Sequence, residues 1–148
     1  MFSGVRWHDM PGRIATGAYI LNSGISKRHA TPERAGGLHT MAASAFPLVK
    51  DMPAETFVRR LSTAEIVTGA TLLNPLVPTA VAGAALAAFS GGLVTLYFRS
   101  PGTRLPGSIR PSDQGTALAK DTWMFGMALG FLMDSVGRRC GRRARCSR

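Results

Sequence analysis

Apolar residues in this chain fall into blocks separated by prolines, glycines and charges, and the longest block sets the scale. Residues 77–98 (VPTAVAGAALAAFSGGLVTLYF) run for 22 positions without a charge. That is about 33 Å of helix, against a hydrocarbon core of about 30 Å. Pro75 and Pro78 bound the block on one side, and Tyr97 and Arg99 on the other. An aromatic and a cation in that order suit a membrane–water interface. A helix apolar on every face finds little core to surround it in one small domain. The pattern therefore predicts a membrane span.

Three further blocks complete the outline. Residues 115–136 (GTALAKDTWMFGMALGFLMDSV) are charge-free from Thr122 to Met133, with Pro111-Ser112-Asp113 as a turn and N-cap candidate before them. Residues 62–76 (STAEIVTGATLLNPL) open on Ser62-Thr63-Ala64-Glu65 and close on Asn74-Pro75. The opening matches a capping box, in which hydroxyl and carboxylate each satisfy an orphan backbone N–H. Residues 12–27 (GRIATGAYILNSGISK) form the first block. The last two give about 20 Å of mostly apolar helix each, short of an unaided span, and pattern alone also allows a re-entrant or interfacial placement. Between them, Thr31-Pro32-Glu33 is a helix start, residues 36–49 are apolar but broken by Pro47, and residues 53–61 are amphipathic. Two short helices lying on the membrane surface over residues 31–60 are the expectation. The fold class predicted is thus all-α: an integral membrane four-helix bundle over residues 1–136, with short interfacial helices between its first and second members. A basic, arginine-rich tail, residues 137–148, is expected to be disordered.

Composition alone would not have raised a membrane, since 45% hydrophobic and 18% charged suit a soluble protein. Distribution changes the picture. Between Leu61 and Phe98 only Glu65 is charged, while residues 138–148 hold six arginines and no acid. The formal charge of +10 and a pI near 11.3 raise nucleic acid as a partner. A basic cluster directly after an apolar helix fits anionic lipid headgroups better, so the lipid bilayer is the expected partner and nucleic acid is disfavoured. Cys140 and Cys146 sit in the tail with C-x5-C spacing and no histidine nearby, which matches no zinc pattern. Residues 1–12 contain no apolar run of signal-peptide length. Residues 99–111 repeat Arg-Ser-Pro-Gly-Thr and Arg-Leu-Pro-Gly-Ser, a pair of turns in which Arg99, Arg104 and Arg110 read as solvated rather than phosphate-binding.

A charge inside a membrane is a functional suspect, because dehydrating it is costly unless it is paired. In an up-down bundle the starts of the second and fourth predicted helices and the end of the first share one side. That places Glu65, Lys120, Asp121 and Lys27 in one layer, with a Glu65–Lys120 ion pair expected and the capping box as the favoured role of Glu65. Arg13 and Asp134 fall in the opposite layer, where Arg13 either snorkels to the interface or ties the first helix to the last through Asp134. Helix packing is expected at Gly126-x-x-x-Gly130 and at Ala84 and Gly91, small residues that let backbones approach in lipid; a homodimer seam is the other use of such a motif. His8, His29 and His39 offer no pair on one predicted helix, so haem ligation gains no support. No phosphate loop, nucleophile elbow or metalloprotease motif is present, and no metal or catalytic residue is assigned. The chain reads as not an enzyme on its own, and its cofactor is unknown.

These positions together resemble the DoxX-like family of four-helix bacterial membrane proteins, in a branch typical of actinobacteria. The resemblance covers about residues 11–136. It rests on Arg13-x3-Gly17 and Asn22-x-Gly24-x2-Lys27, on Glu65-x3-Gly69, on Lys120-Asp121, and on the stretches LHTMAASAFPLVKDM, AGAALAAFSGGL and ALAKDTWMFGMALG. The family usually has Lys-Asn where this chain has Lys120-Asp121, and it does not cover the tail. The resemblance implies an accessory or anchor subunit of a membrane redox complex, since some relatives serve quinone-linked sulfur-oxidising or redox-stress assemblies through a partner protein. A small transporter or ion-handling protein using the Glu65/Lys120/Asp121 layer is the alternative. The location expected is the inner (plasma) membrane, multi-pass. One side would carry Arg6, Arg13 and the six tail arginines and the other nine basic residues, so the density of the tail places both termini in the cytoplasm.

Overall fold

The computed structural model describes the backbone of residues 7–146 and the side chains of residues 7–137. Arg6, the thiols of Cys140 and Cys146 and the side chains of the tail arginines lie outside the described residues. The helices are α1 (Met10–Arg28), α2 (Pro32–Ala45), α3 (Ala54–Leu73), α4 (Thr79–Arg99), α5 (Thr116–Lys120) and α6 (Thr122–Cys146), with 3-10 turns at Trp7–Asp9 and Pro47–Val49. Among the described residues the β content is one isolated bridge, Arg104 to Pro111. The all-α class expected from the sequence is the class observed.

Local chemistry explains most boundaries. Pro11 stands in the first turn of α1, and Lys27 and Arg28 occupy its last turn, where cations meet the unpaired carbonyls. Thr31 caps α2 as its sequence promised: the hydroxyl accepts the Arg34 N–H at 3.4 Å, with Pro32 next in line. Glu33 follows, its carboxyl held below the ordinary range by its own backbone N–H and the Thr31 hydroxyl.

The structure corrects the sequence reading at α3. Residues 53–61 are not a separate surface helix; they are the first turns of a 20-residue helix that runs from Ala54 to Leu73. Pro53 starts it, nothing from Ala54 to Leu61 breaks it, and extending a helix is far easier than nucleating a second one. Ser62 and Glu65 therefore sit in mid-helix and no capping box forms. Full lengths of 19 residues for α1 and 20 for α3 give about 30 Å each rather than 20. The fourth block also differs, because Asp121 interrupts it between α5 and α6. At its far end α6 carries on as helix to Cys146, through the stretch expected to be disordered.

Two antiparallel pairs, α1 with α3 and α4 with α6, make the bundle, and α2 lies across α3 and α4. Glycine sets the first contact. A methyl group at Gly69 would stand 2.7 Å from the Leu21 nitrogen, and one at Gly24 would stand 2.9 Å from Glu65 Cβ. In the second pair the tight position is Gly83, where a methyl would meet Phe131 Cβ at 3.0 Å. The packing residues expected from the sequence mostly lie elsewhere: Gly126 and Gly130 face open space, Ala84 is exposed, and Gly91 meets only an ordinary contact with Phe125 at 3.6 Å. GxxxG spacing identifies a helix face but not the direction it points.

The interior mixes a small apolar core with polar groups. Ile20, Leu72, Leu86, Met124, Ala128 and Phe131 pack together. Beside them Arg13, Thr16, Ser62, Thr79 and Ser90 are completely buried. The outer faces carry Ile14, Ile25, Val67, Val81, Leu129 and Met133, all exposed. Among the described residues one helix, α4, is long and apolar enough to cross a membrane, and only 28% of its apolar window is buried within the molecule.

The Pro-Gly repeat folds back on the end of α4 as a small hairpin. Gly102 and Gly107 take φ of +83° and +69°, values that favour glycine. The Leu105 N–H donates to the Arg110 carbonyl at 3.0 Å and the Tyr97 hydroxyl to the Ile109 carbonyl at 2.7 Å. Arg104 donates to the Phe98 carbonyl at 2.9 Å and lies over the Phe98 ring. The Thr103 carbonyl occupies the space a side chain at residue 115 would need, so Gly115 is required there.

Candidate functional site

The antiparallel order brings sequence-distant charges to the two ends of the bundle. At one end lie the start of α1, the end of α3, the start of α4 and the middle of α6. At the other lie Lys27, Glu65 and Asp121, roofed by α2. The layering expected from the sequence is the layering found. The pairings are not.

Arg13 neither snorkels nor contacts Asp134. Its side chain is fully buried, and all three guanidinium nitrogens donate to backbone carbonyls at the end of α3. Nε reaches Leu72 O at 2.9 Å, one terminal nitrogen reaches Val77 O at 3.0 Å, and the other reaches Asn74 O at 2.9 Å and Thr71 O at 3.2 Å. A helix leaves its last carbonyls unpaired, and Pro75 and Pro78 bring no N–H to the turn that follows. A planar cation with a fork of donors answers both the missing bonds and the negative end of the helix dipole. Asp9, itself buried, acts electrostatically on Arg13 and accepts the Thr79 hydroxyl at 3.1 Å. Asp134 lies 3.9 Å from His8 Nε2, which is 3.1 Å from Asp9 Oδ1. The ligand atoms of His8, Asp9 and Asp134 come within 4.8 Å of one another, a grouping that could hold a metal ion and that no sequence motif signalled. Its residues come from opposite ends of the chain, so no spacing could have revealed it.

At the other end Glu65 pairs with Lys27, not Lys120. Lys27 Nζ lies 2.8 Å from Glu65 Oε1 and donates to Ser23 Oγ at 2.6 Å, with side chains only 13% and 6% exposed. Lys120 projects from the exposed side of the five-residue α5. The break at Asp121 turns the two neighbours apart, leaving Asp121 half-buried against the layer. Ser62, the supposed cap, donates instead to the Gly24 carbonyl at 2.7 Å and fastens α3 to α1 one turn away from the ion pair. Glu65 Oε2 is buried and has no hydrogen-bond partner.

This layer forms part of the wall of a cavity of about 440 Å³. Ser23, Lys27, Glu65 and Asp121 contribute its polar patch. Aromatic and aliphatic side chains of all six α-helices and of Phe46, just past the end of α2, make the rest, among them Phe57, Phe89, Leu93 and Met124. Phe57 is held edge-on by His39, whose Nε2 lies 2.9 Å from the Val49 carbonyl. A mostly apolar hollow with a few convergent polar groups is the usual form of a small-molecule site. On the other side of Lys27 a cleft of about 470 Å³ runs between α1, α2 and α3, lined by Arg28, Glu55 and Arg59. The sequence placed Glu65, Lys27 and Asp121 together; it gave no sign of the cavity, which depends on α2 closing over α3 and α4. No family model matches the chain, and no curated protein or solved structure matches it.

Proposed function

We propose that this chain is a multi-pass inner-membrane protein of DoxX-like type, with α1, α3, α4 and α6 crossing the bilayer. It holds a small lipophilic ligand against the Lys27–Glu65–Asp121 layer and serves as an accessory or anchor subunit of a membrane redox assembly. The observation that carries the reading is a partly polar interior beneath apolar outer faces. Arg13, Thr16, Ser62, Thr79 and Ser90 are buried, while isoleucine, valine, leucine and methionine face outward. In water that arrangement gives up the main driving force of folding, whereas in hydrocarbon it is the expected one. The 28% burial of the α4 window points the same way, because the core helix of a soluble protein would be mostly enclosed. The redox role rests on the resemblance in the charged and glycine positions, and the cavity supports it as a place for a lipophilic ligand. The test is fractionation of the full chain. Membrane association that resists alkaline carbonate and yields only to detergent, with a soluble oxidoreductase co-purifying, supports the proposal. A monodisperse protein in plain buffer overturns it.

A second reading, ion handling, is favoured by Glu65 Oε2, a buried acceptor without a partner. Proteoliposome flux that disappears in Glu65→Gln, with helicity retained, would select it over the subunit role.

A further inference from the structure

We infer that the cavity at the Lys27–Glu65–Asp121 layer takes a lipophilic amine: a molecule with one positively charged, hydrogen-bond-donating head on an apolar body. This rests on the ligand-cavity reading above and names the ligand class. The wall carries one amine, Lys27, and two carboxyl groups, Glu65 and Asp121, so with all three ionised it holds an excess of one negative charge. Two of the three ammonium hydrogens are taken by Ser23 Oγ at 2.6 Å and Glu65 Oε1 at 2.8 Å. What is left over is Glu65 Oε2, buried and unpartnered on a side chain that is 6% exposed. A carboxylate oxygen only accepts, so whatever completes it must donate. A carbonyl or carboxylate head could take the remaining Lys27 hydrogen but would leave Oε2 without a donor, and a carboxylate would add to the excess of acid. A hydroxyl would complete Oε2 but leave the charge. An ammonium does both, and Phe46, Phe57 and Phe89 line the cavity to cover an apolar body.

The experiment compares three molecules of one shape, phenylbutylamine, phenylbutanol and phenylbutyrate, by calorimetry on the full chain in lipid nanodiscs, with empty discs as the blank. The amine is expected to bind about tenfold or more tighter than the other two. Asp121→Asn, at a residue that makes none of the interhelical hydrogen bonds described above, should remove most of that preference. Glu65→Gln with Asp121→Asn reverses the net charge of the wall and should shift the preference to phenylbutyrate. Gly92→Phe should abolish binding of every probe, because Gly92 lines the cavity and a side chain there meets nothing within 4 Å. Equal binding of amine and alcohol, or amine binding unchanged in Asp121→Asn, overturns the inference; if that binding is still lost in Gly92→Phe, the cavity reading survives. Absence of binding by all three probes overturns both.

Discussion

Arg13 offers the sharpest test of how the bundle is held together, because its role depends on geometry rather than charge alone. Arg13→Met keeps the apolar length of the side chain and removes every donor. The Leu72 carbonyl is then buried without a partner, those of Thr71 and Val77 lose theirs in half-buried surroundings, and Asn74 O keeps only the Val77 N–H at 3.2 Å. Neither Pro75 nor Pro78 can substitute. An unpaired buried carbonyl costs about 1–3 kcal/mol, and Asp9 loses its neighbouring cation as well. Relief of the guanidinium desolvation offsets part of this, so the net loss expected is about 3–5 kcal/mol. Arg13→Lys retains the charge on a compact head that cannot span the same carbonyls, and should lose about 1–2 kcal/mol. The assay is unfolding by SDS in mixed micelles, followed by far-UV circular dichroism. If Arg13 were only an interfacial cation, lysine would match arginine. A methionine variant within about 1 kcal/mol of the parent would refute the reasoning.

Other substitutions probe separate contacts. Lys27→Met strands the buried Glu65 carboxylate and should cost about 3–5 kcal/mol, most of it recovered in the double variant Lys27→Met/Glu65→Leu, measured by the same unfolding assay. Gly69→Ala pushes a methyl into the Leu21 backbone and should destabilise by about 1–3 kcal/mol, while Gly130→Ala meets open space and should be neutral or stabilising by up to about 1 kcal/mol. Equal effects at the two glycines would show that the helix faces are wrongly assigned. Gly115→Ala collides with the Thr103 carbonyl and should release the hairpin from α4, detected as faster amide exchange at Leu105 and Ser112.

What the sequence made legible was the existence of the helices and the layer to which each charge belongs. Both follow from short-range signals: apolar blocks, Thr31-Pro32, Asn74-Pro75, and an up-down order imposed by the connections. Partnership was not legible. Glu65 was placed with Lys120 because both open a predicted helix, but α3 begins eight residues before Ser62, which turns Glu65 from a terminus into a mid-helix residue facing Lys27. Ser62-Thr63-Ala64-Glu65 is a true match to a capping pattern at a place where no helix starts, and only a breaker between Ala54 and Leu61 could have made it one. The partners of Arg13 were missed for another reason: they are backbone carbonyls, which leave no mark on the sequence beyond the prolines that orphan them. The cavity depends on how α2 settles across α3 and α4, and its lining comes from all six α-helices.

The two ends of the bundle use similar chemistry to opposite effect. At the Arg13 end every nitrogen of the cation is engaged: three nitrogens meet four carbonyls, Asp9 acts on the charge, and Thr79 donates to Asp9. The guanidinium is thus engaged as structure, and the His8, Asp9 and Asp134 grouping beside it is a separate feature. At the Lys27 end the count does not close. One ammonium faces two carboxylates, one carboxylate oxygen is buried without a donor, and the space in front of the layer is a cavity rather than side chains. A buried acceptor left open is costly, and no side chain of the layer completes it. The same cavity that lacks the donor has the room to admit one, which is why the functional reading is placed at this end and not at the other.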